Sequence, residues 1–126
     1  MKIQQEVKIQ SQDIWTQLRL WEVIGHLNVG LCLDTCHTWA GGIPTIDAVK
    51  GFKKLVKKID LIHFNDSKDG FESSRDRHEN LGKGKIPKEE LEYVIKNAKT
   101  DIIVETPNGP DAQKKDIAWI RRRLKK

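Results

Sequence analysis

Three short runs of apolar, β-branched-rich residues punctuate the chain: "NVGLCLD" (28–34), "DLIHFND" (60–66) and "DIIVET" (101–106). Each is nearly continuous in strand formers, the pattern of parallel strands covered on both faces. Between the first two, Val49, Phe52, Val56 and Ile59 recur at helical spacing, with lysines on the opposite side. Between the second and third, Pro87 opens a stretch in which Leu91, Val94 and Ile95 form another helical stripe. Ile117, Ile120 and Leu124 mark a closing helix, while Ile14, Leu18 and Trp21 mark an opening one that stops at Gly25. Residues 1–10 show no such pattern. The order is therefore α(βα) three times over, an α/β fold of about three parallel strands with crossover helices. Three parallel strands leave two edges for something else to cover, so the pattern fits one portion of a larger sheet.

Composition narrows the class. At 126 residues, 33% charged and 37% hydrophobic, the chain has the make-up of one globular domain. The net charge of +5 favours polyanionic partners without requiring them. Two cysteines, Cys32 and Cys36, are too few for a disulfide scaffold or a four-cysteine zinc site, and Cys32 reads as a small buried strand residue. No apolar run reaches the ~18 residues of a membrane helix, and the first residues lack the basic-then-apolar order of a signal peptide. The expectation is an intracellular protein with no membrane partner.

Chemistry gathers at one end of the strands. Asp34, His63 and Glu105 each lie at or near a strand's C-terminal end, the edge where α/β barrels and open sheets keep their reactive groups. His37 follows Asp34 by one turn. Beyond the second strand, "RDRHENLGKGK" (75–85) brings Asp76 and His78 to one side if it is extended. Three imidazoles and three carboxylates suit zinc, manganese or iron, and the absence of cysteine from the set points to hydrolytic chemistry. Taken singly, each residue has an ordinary explanation: Asp34 as a helix cap, His63 as a core histidine, Glu105 as a lysine partner. Those explanations do not account for a ligand at the same end of every strand.

"GLCLDTCHTWAGG", "IHFNDSKDGFESSRDRHENLGKGKI" and "IIVETP" together resemble the C-terminal part of the endonuclease IV family of apurinic/apyrimidinic endonucleases. The resemblance runs over residues 28–121 of a single partial domain spanning 1–126, with residues 1–20 falling outside the clear match. It implies the C-terminal portion of a TIM-type (β/α)8 barrel and a cluster of three metal ions, usually zinc. The implied activity is DNA repair by hydrolysis of the phosphodiester 5′ to an abasic site in double-stranded DNA. Carried over by position, His37, Asp76 and His78 match the protein ligands of one metal. Asp34, His63 and Glu105 match three of the four ligands of a second, and these three are the implied catalytic residues. The fourth, a bridging glutamate, and two further histidines belong to earlier strands. Upstream, Glu6 and His26 are of the right types, and neither sits in the family's glutamate motif.

Asn65 and Asp66 are expected to orient the ligands from behind, and Arg77 to touch a DNA phosphate through its planar fork. Gly82 and Gly84 allow a sharp turn or a close backbone approach. The basic tail "RRRLKK" (121–126) already has a reason in the helix dipole, and Trp15, Trp21 and Trp119 read as core or interface residues. Trp39, beside the ligands, stays open. Two other functions fit a similar ligand set: a metal-dependent sugar isomerase or epimerase on a related barrel, and a non-catalytic fragment that binds metal or DNA. As one portion of a barrel, the chain is expected to need the N-terminal barrel half or to self-associate.

Overall fold

A computed structural model describes residues 14–125. The expectations for residues 1–10, for Glu6 and for the side chains of Ile14, Trp15 and Leu18 lie outside the described residues. The elements follow in the order α1 (Ile14–Ile24), β1 (Cys32–Asp34), α2 (Thr35–Ala40), α3 (Thr45–Val56), β2 (Leu61–His63), β3 (Asp66–Ser67), β4 (His78–Glu79), α4 (Lys88–Asn97), β5 (Asp101–Ile103) and α5 (Gly109–Leu124). Strands β1, β2 and β5 make a parallel sheet in the order β1-β2-β5, with Asp34 beside His63 and His63 beside Ile103 in register. All three expected strands are present. An antiparallel pair, β3 with β4, is additional, and it sets Asp66 opposite Glu79 and Ser67 opposite His78.

The crossover helices carry the core as their spacing predicts. Val49, Phe52 and Ile59 from the α3 region and Leu91, Val94 and Ile95 from α4 are buried together with Leu33, Ile62 and Phe64. The row Leu33, Ile62, Ile102 faces these helices, because alternate strand residues point to opposite faces. The other face departs from the expectation of strands covered on both sides: Ile103 is 47% exposed. Cys32 lies in a row that faces the same way and is exposed as well. Its expected burial fails for the same reason, since helices pack against one face only.

The closing helix α5 forms where expected, but its inner face is different. Asp116, Trp119 and Ile120 are buried, whereas Ile117 and Leu124 are 40% and 56% exposed. Trp119 lies in the core, as expected, with the Arg123 guanidinium 3.4 Å above its ring. Arg123 also pairs with Glu92 of α4 at 3.1 Å, so one cation of the basic tail ties two helices together. Trp21 is half-buried. Among the described residues, no helix is long and apolar enough to cross a membrane.

Candidate metal centre

Strand β1 ends in Asp34, whose extended backbone (φ −104°, ψ 121°) turns the chain into α2. Its Oδ1 accepts from the N–H groups of Cys36 (2.8 Å) and His37 (3.1 Å), satisfying two donors that the start of a helix leaves unpaired. The helix-cap explanation of Asp34 is therefore correct for one oxygen. The other, Oδ2, looks away from the helix, with His37 Nε2 at 3.8 Å, His63 Nδ1 at 3.8 Å and His78 Nε2 at 3.7 Å. Three imidazoles from three different segments converge on a single carboxylate oxygen.

The remaining ligand candidates complete the cluster. Glu105 Oε2 is 3.1 Å from His63 Nδ1, while Asp76 sets Oδ2 2.8 Å from His37 Nε2 and Oδ1 3.2 Å from His78 Nε2. The ligand atoms of Asp34, His63 and Glu105 all lie within 4.8 Å of one another, as do those of Asp34, His37 and His78. Ligand atoms around a four-coordinate ion with bonds of about 2.0–2.1 Å stand roughly 3.3 Å apart, so these separations suit a shared cation. All six residues singled out in the sequence come together at one end of the sheet. His26 does not join them; it is exposed on the turn after α1.

His78 is the sharpest test of whether the pocket suits a cation. Its Nδ1 lies 3.0 Å from the Glu105 carbonyl, which can only accept, so Nδ1 carries the proton. In the neutral form of the ring Nε2 is then a lone pair, buried without a hydrogen bond and facing the carboxylates of Asp76 and Asp34. Lone pairs opposed in this way need a positive charge between them. Burial pushes the Asp34 carboxyl above the usual carboxylate range, against the pull of the His37 and His78 rings. A cation at Oδ2 would reverse that shift.

Behind the cluster, Asn65 is fully buried and fixes two ligand segments at once. Its Nδ2 donates to Asp34 Oδ2 (3.3 Å) and its Oδ1 accepts from the Glu105 N–H (2.8 Å). Asp66 differs from its expected part. It contacts no ligand side chain among its hydrogen bonds; it accepts from the N–H groups of Ser67, Gly82, Gly84 and Ile86 at 2.8–3.1 Å. The glycines serve this carboxylate: Gly82 has φ +81°, and a Cβ on Gly84 would stand 2.3 Å from Asp66 Oδ1.

Arg77 directs Nε and one terminal nitrogen onto Asp69 at 2.8 and 2.6 Å, holding the Asp69 carboxyl below the usual range. Two of its five donors are used in this way. Trp39 is a packing residue, buried, bonded through Nε1 to the Asp69 carbonyl and edge-on to Phe71. One neighbour has no signal in the sequence pattern. The Cys36 sulfur lies within 4.8 Å of ligand atoms of Asp76 and His78, and burial pushes its thiol up to about 12, which keeps it protonated.

The sequence profile described as xylose isomerase-like TIM barrel matches residues 5–123. A protein of Mycobacterium bovis (strain BCG / Pasteur 1173P2) named "Probable endonuclease 4" is 48% identical over 108 residues, covering 86% of this chain and 42% of that protein. The chain thus spans less than half the length of the curated relatives it matches. The crystal structure of endonuclease IV from Thermus thermophilus superposes with a TM-score of 0.69 at 29% identity, over 86% of this chain and 43% of that one. A xylose isomerase domain protein from Planctomyces limnophilus shares the fold, with a TM-score of 0.60 at 21% identity over 91% and 43% of the respective chains.

Proposed function

The chain belongs to the xylose isomerase-like TIM barrel family and forms part of such a barrel, and on that premise we propose that it is the ligand-bearing part of a metal-dependent DNA-repair endonuclease. The reaction is hydrolysis of the phosphodiester 5′ to an abasic site in double-stranded DNA. The observation that carries this reading is the convergence of three imidazole nitrogens within 3.8 Å of Asp34 Oδ2. The 48% identity to a probable endonuclease 4 favours it over a sugar isomerase, since the solved xylose isomerase domain protein, at 21% identity, shares the fold alone.

His37, Asp76 and His78 would hold one divalent ion, and Asp34, His63 and Glu105 another. Zinc suits this nitrogen and oxygen set, with manganese or iron as alternatives. Bound there, such ions supply Lewis-acid polarisation and neutralise charge building up on a phosphodiester. The chain's own residues prepare the site. Asn65 and the α2 cap fix the Asp34 carboxylate, the Glu105 carbonyl fixes the His78 tautomer, and the unused donors of Arg77 face solvent for a DNA phosphate.

The chain covers 42% of the first curated relative, so a further bridging glutamate and histidines would come from an N-terminal barrel half or from a second copy of the chain. The half-covered sheet, with Ile103 exposed, supports a partner of either kind. The deciding test is incubation of the chain with a duplex carrying one abasic analogue, with and without chelator, while bound metal is measured. Chelator-sensitive incision on the 5′ side is the expected result. Metal uptake without incision would mark a half-site that needs its partner, and turnover of an aldose would move the assignment to an isomerase.

A further inference from the structure

Two buried polar residues outside the ligand set are bonded to each other and to the segments that carry it. Asn80, two residues after His78, and Asp116, on α5, are each 4% exposed. Asn80 Nδ2 donates to Asp116 Oδ2 at 2.8 Å and to the Pro107 carbonyl at 3.0 Å, and its Oδ1 accepts from Asn108 Nδ2 at 2.6 Å. Asp116 Oδ1 accepts from the Leu81 N–H at 3.0 Å. Both halves of the Asn80 amide are thus engaged. One side chain ties the strand that carries His78 to the segment that follows Glu105, and anchors both on α5.

His78 and Glu105 belong to different ligand trios, and they meet through the bond from His78 Nδ1 to the Glu105 carbonyl. Their spacing decides whether His78 Nε2 keeps its lone pair directed at the other ligands. We propose that Asp116 is a positioning residue for the metal centre: through Asn80 it fixes the segments of His78 and Glu105 against each other and so holds the His78 tautomer. This rests on the metal reading of those two residues. Asp116 touches no ligand side chain itself. An ionised carboxylate only accepts, and the two groups it meets, Asn80 Nδ2 and the Leu81 N–H, only donate. In Asp116→Asn, an amide N–H would face one of those donors, and the tie would loosen with little change of volume.

The test compares wild type, Asp116→Asn and Leu91→Ala, the last removing a fully buried α4 side chain that has no bond to the network. Ring nitrogen NMR on the metal-free chain reads the His78 tautomer, and titration with Co2+ alone reads affinity and the visible spectrum of the bound ion. Wild type should show a single Nδ1–H tautomer. Asp116→Asn should show a mixture, with cobalt affinity reduced about threefold to tenfold, less than loss of a hydrogen bond made directly to a metal ligand gives. Leu91→Ala should lower the melting temperature and leave tautomer and spectrum unchanged.

Should Asp116→Asn fail to fold, Asn108→Gly removes the third bond to Asn80 while suiting the left-handed backbone there (φ 74°), and should shift the tautomer the same way by less. An unchanged tautomer and cobalt affinity within twofold in the folded variant, or equal changes in Leu91→Ala, would overturn the proposal. A wild-type chain that takes up no cobalt would overturn the metal reading and this inference together. Uptake that Asp116→Asn leaves intact would overturn this inference alone.

Discussion

Asp34 and Asp66 are the same residue in nearly the same surroundings, and they do different work. Asp34 ends β1, and Asp66 follows β2 by three residues; they are 7% and 0% exposed, and burial pushes both carboxyls upward. At Asp66, each oxygen accepts two backbone N–H groups, so the carboxylate is satisfied within the fold. The four donors favour the ionised carboxylate and oppose the burial that raises its pKa. At Asp34, only Oδ1 is used by backbone N–H groups, and Oδ2 is left among imidazole nitrogens. Burial does not separate a structural acid from a functional one. The separation lies in whether an oxygen remains for something the chain does not itself contain.

The largest effect that could break this comparison is at Asp66. Asp66→Asn replaces an oxygen facing two N–H groups with an amide NH2 group and strands buried donors. Urea denaturation should show a loss of about 3 kcal/mol or more. A loss under about 1 kcal/mol would mean that the loop does not depend on the carboxylate. Gly84→Ala attacks the same cradle from the other side, since its Cβ would stand 2.3 Å from both Asp66 Oδ1 and the Ser67 carbonyl. The expected cost is about 1–3 kcal/mol, with the loop giving way before the sheet. Amide hydrogen exchange at Gly82, Gly84 and Ile86 would show that order.

Asp34→Asn sharpens the contrast: on the proposed metal reading it should cost little stability and weaken metal uptake. Asparagine caps helices about as well as aspartate, so the metal-free chain should lose less than about 1 kcal/mol. Zinc should raise the melting temperature of wild type by more than that of Asp34→Asn, which keeps only the His37, Asp76 and His78 set intact, because a ligand that binds only the folded state stabilises it. The pH dependence has a definite sign. With its folded pKa raised above the ordinary 3.8, Asp34 favours folding at low pH, and that contribution is lost as pH rises through the raised value. Metal-free wild type should therefore lose stability over that interval relative to Asp34→Asn, and a zinc-loaded sample should not.

The parts that were legible from sequence are those whose cause is local. Strand-former runs located β1, β2 and β5, and helical spacing located the buried faces of α3 and α4. The six ligand candidates were legible because strand ends concentrate them and the family resemblance fixed their order. What escaped was determined by partners distant in sequence. Three of the four Asp66 partners are backbone N–H groups 16 to 20 residues away, visible only as two glycines whose purpose could equally have been a turn. Asn80 and Asp116 are 36 residues apart, and neither lies in an apolar stripe or a strand end. On α5, Ile117 and Leu124 looked like core, yet the helix packs through Trp119 and Ile120 with Asp116 beside them. Hydrophobicity alone does not say which of two possible stripes meets a neighbour.

Glu90 is a third partly buried acid and the smallest test of the comparison, because it is neither a ligand candidate nor fully satisfied. It sits in the first turn of α4 with Oε2 buried and without a hydrogen bond, next to Thr45 at the start of α3. Burial raises its pKa, the Thr45 N–H opposes that, and nearby Asp47 adds to it. A raised carboxyl contributes stability below its ordinary value of 4.5 and loses it as pH rises through the folded value. The side chain is partly exposed, so solvent screening keeps the effect small. Glu90→Gln removes the charge and keeps an acceptor for the Thr45 N–H. Its stability at pH 7 should stay within about 0.5 kcal/mol of wild type, and the decline between pH 4 and pH 7 due to Glu90 should vanish. A loss above about 1 kcal/mol at pH 7 would show that the ionised acid holds the start of α3, placing Glu90 with Asp66 among the carboxylates the fold requires.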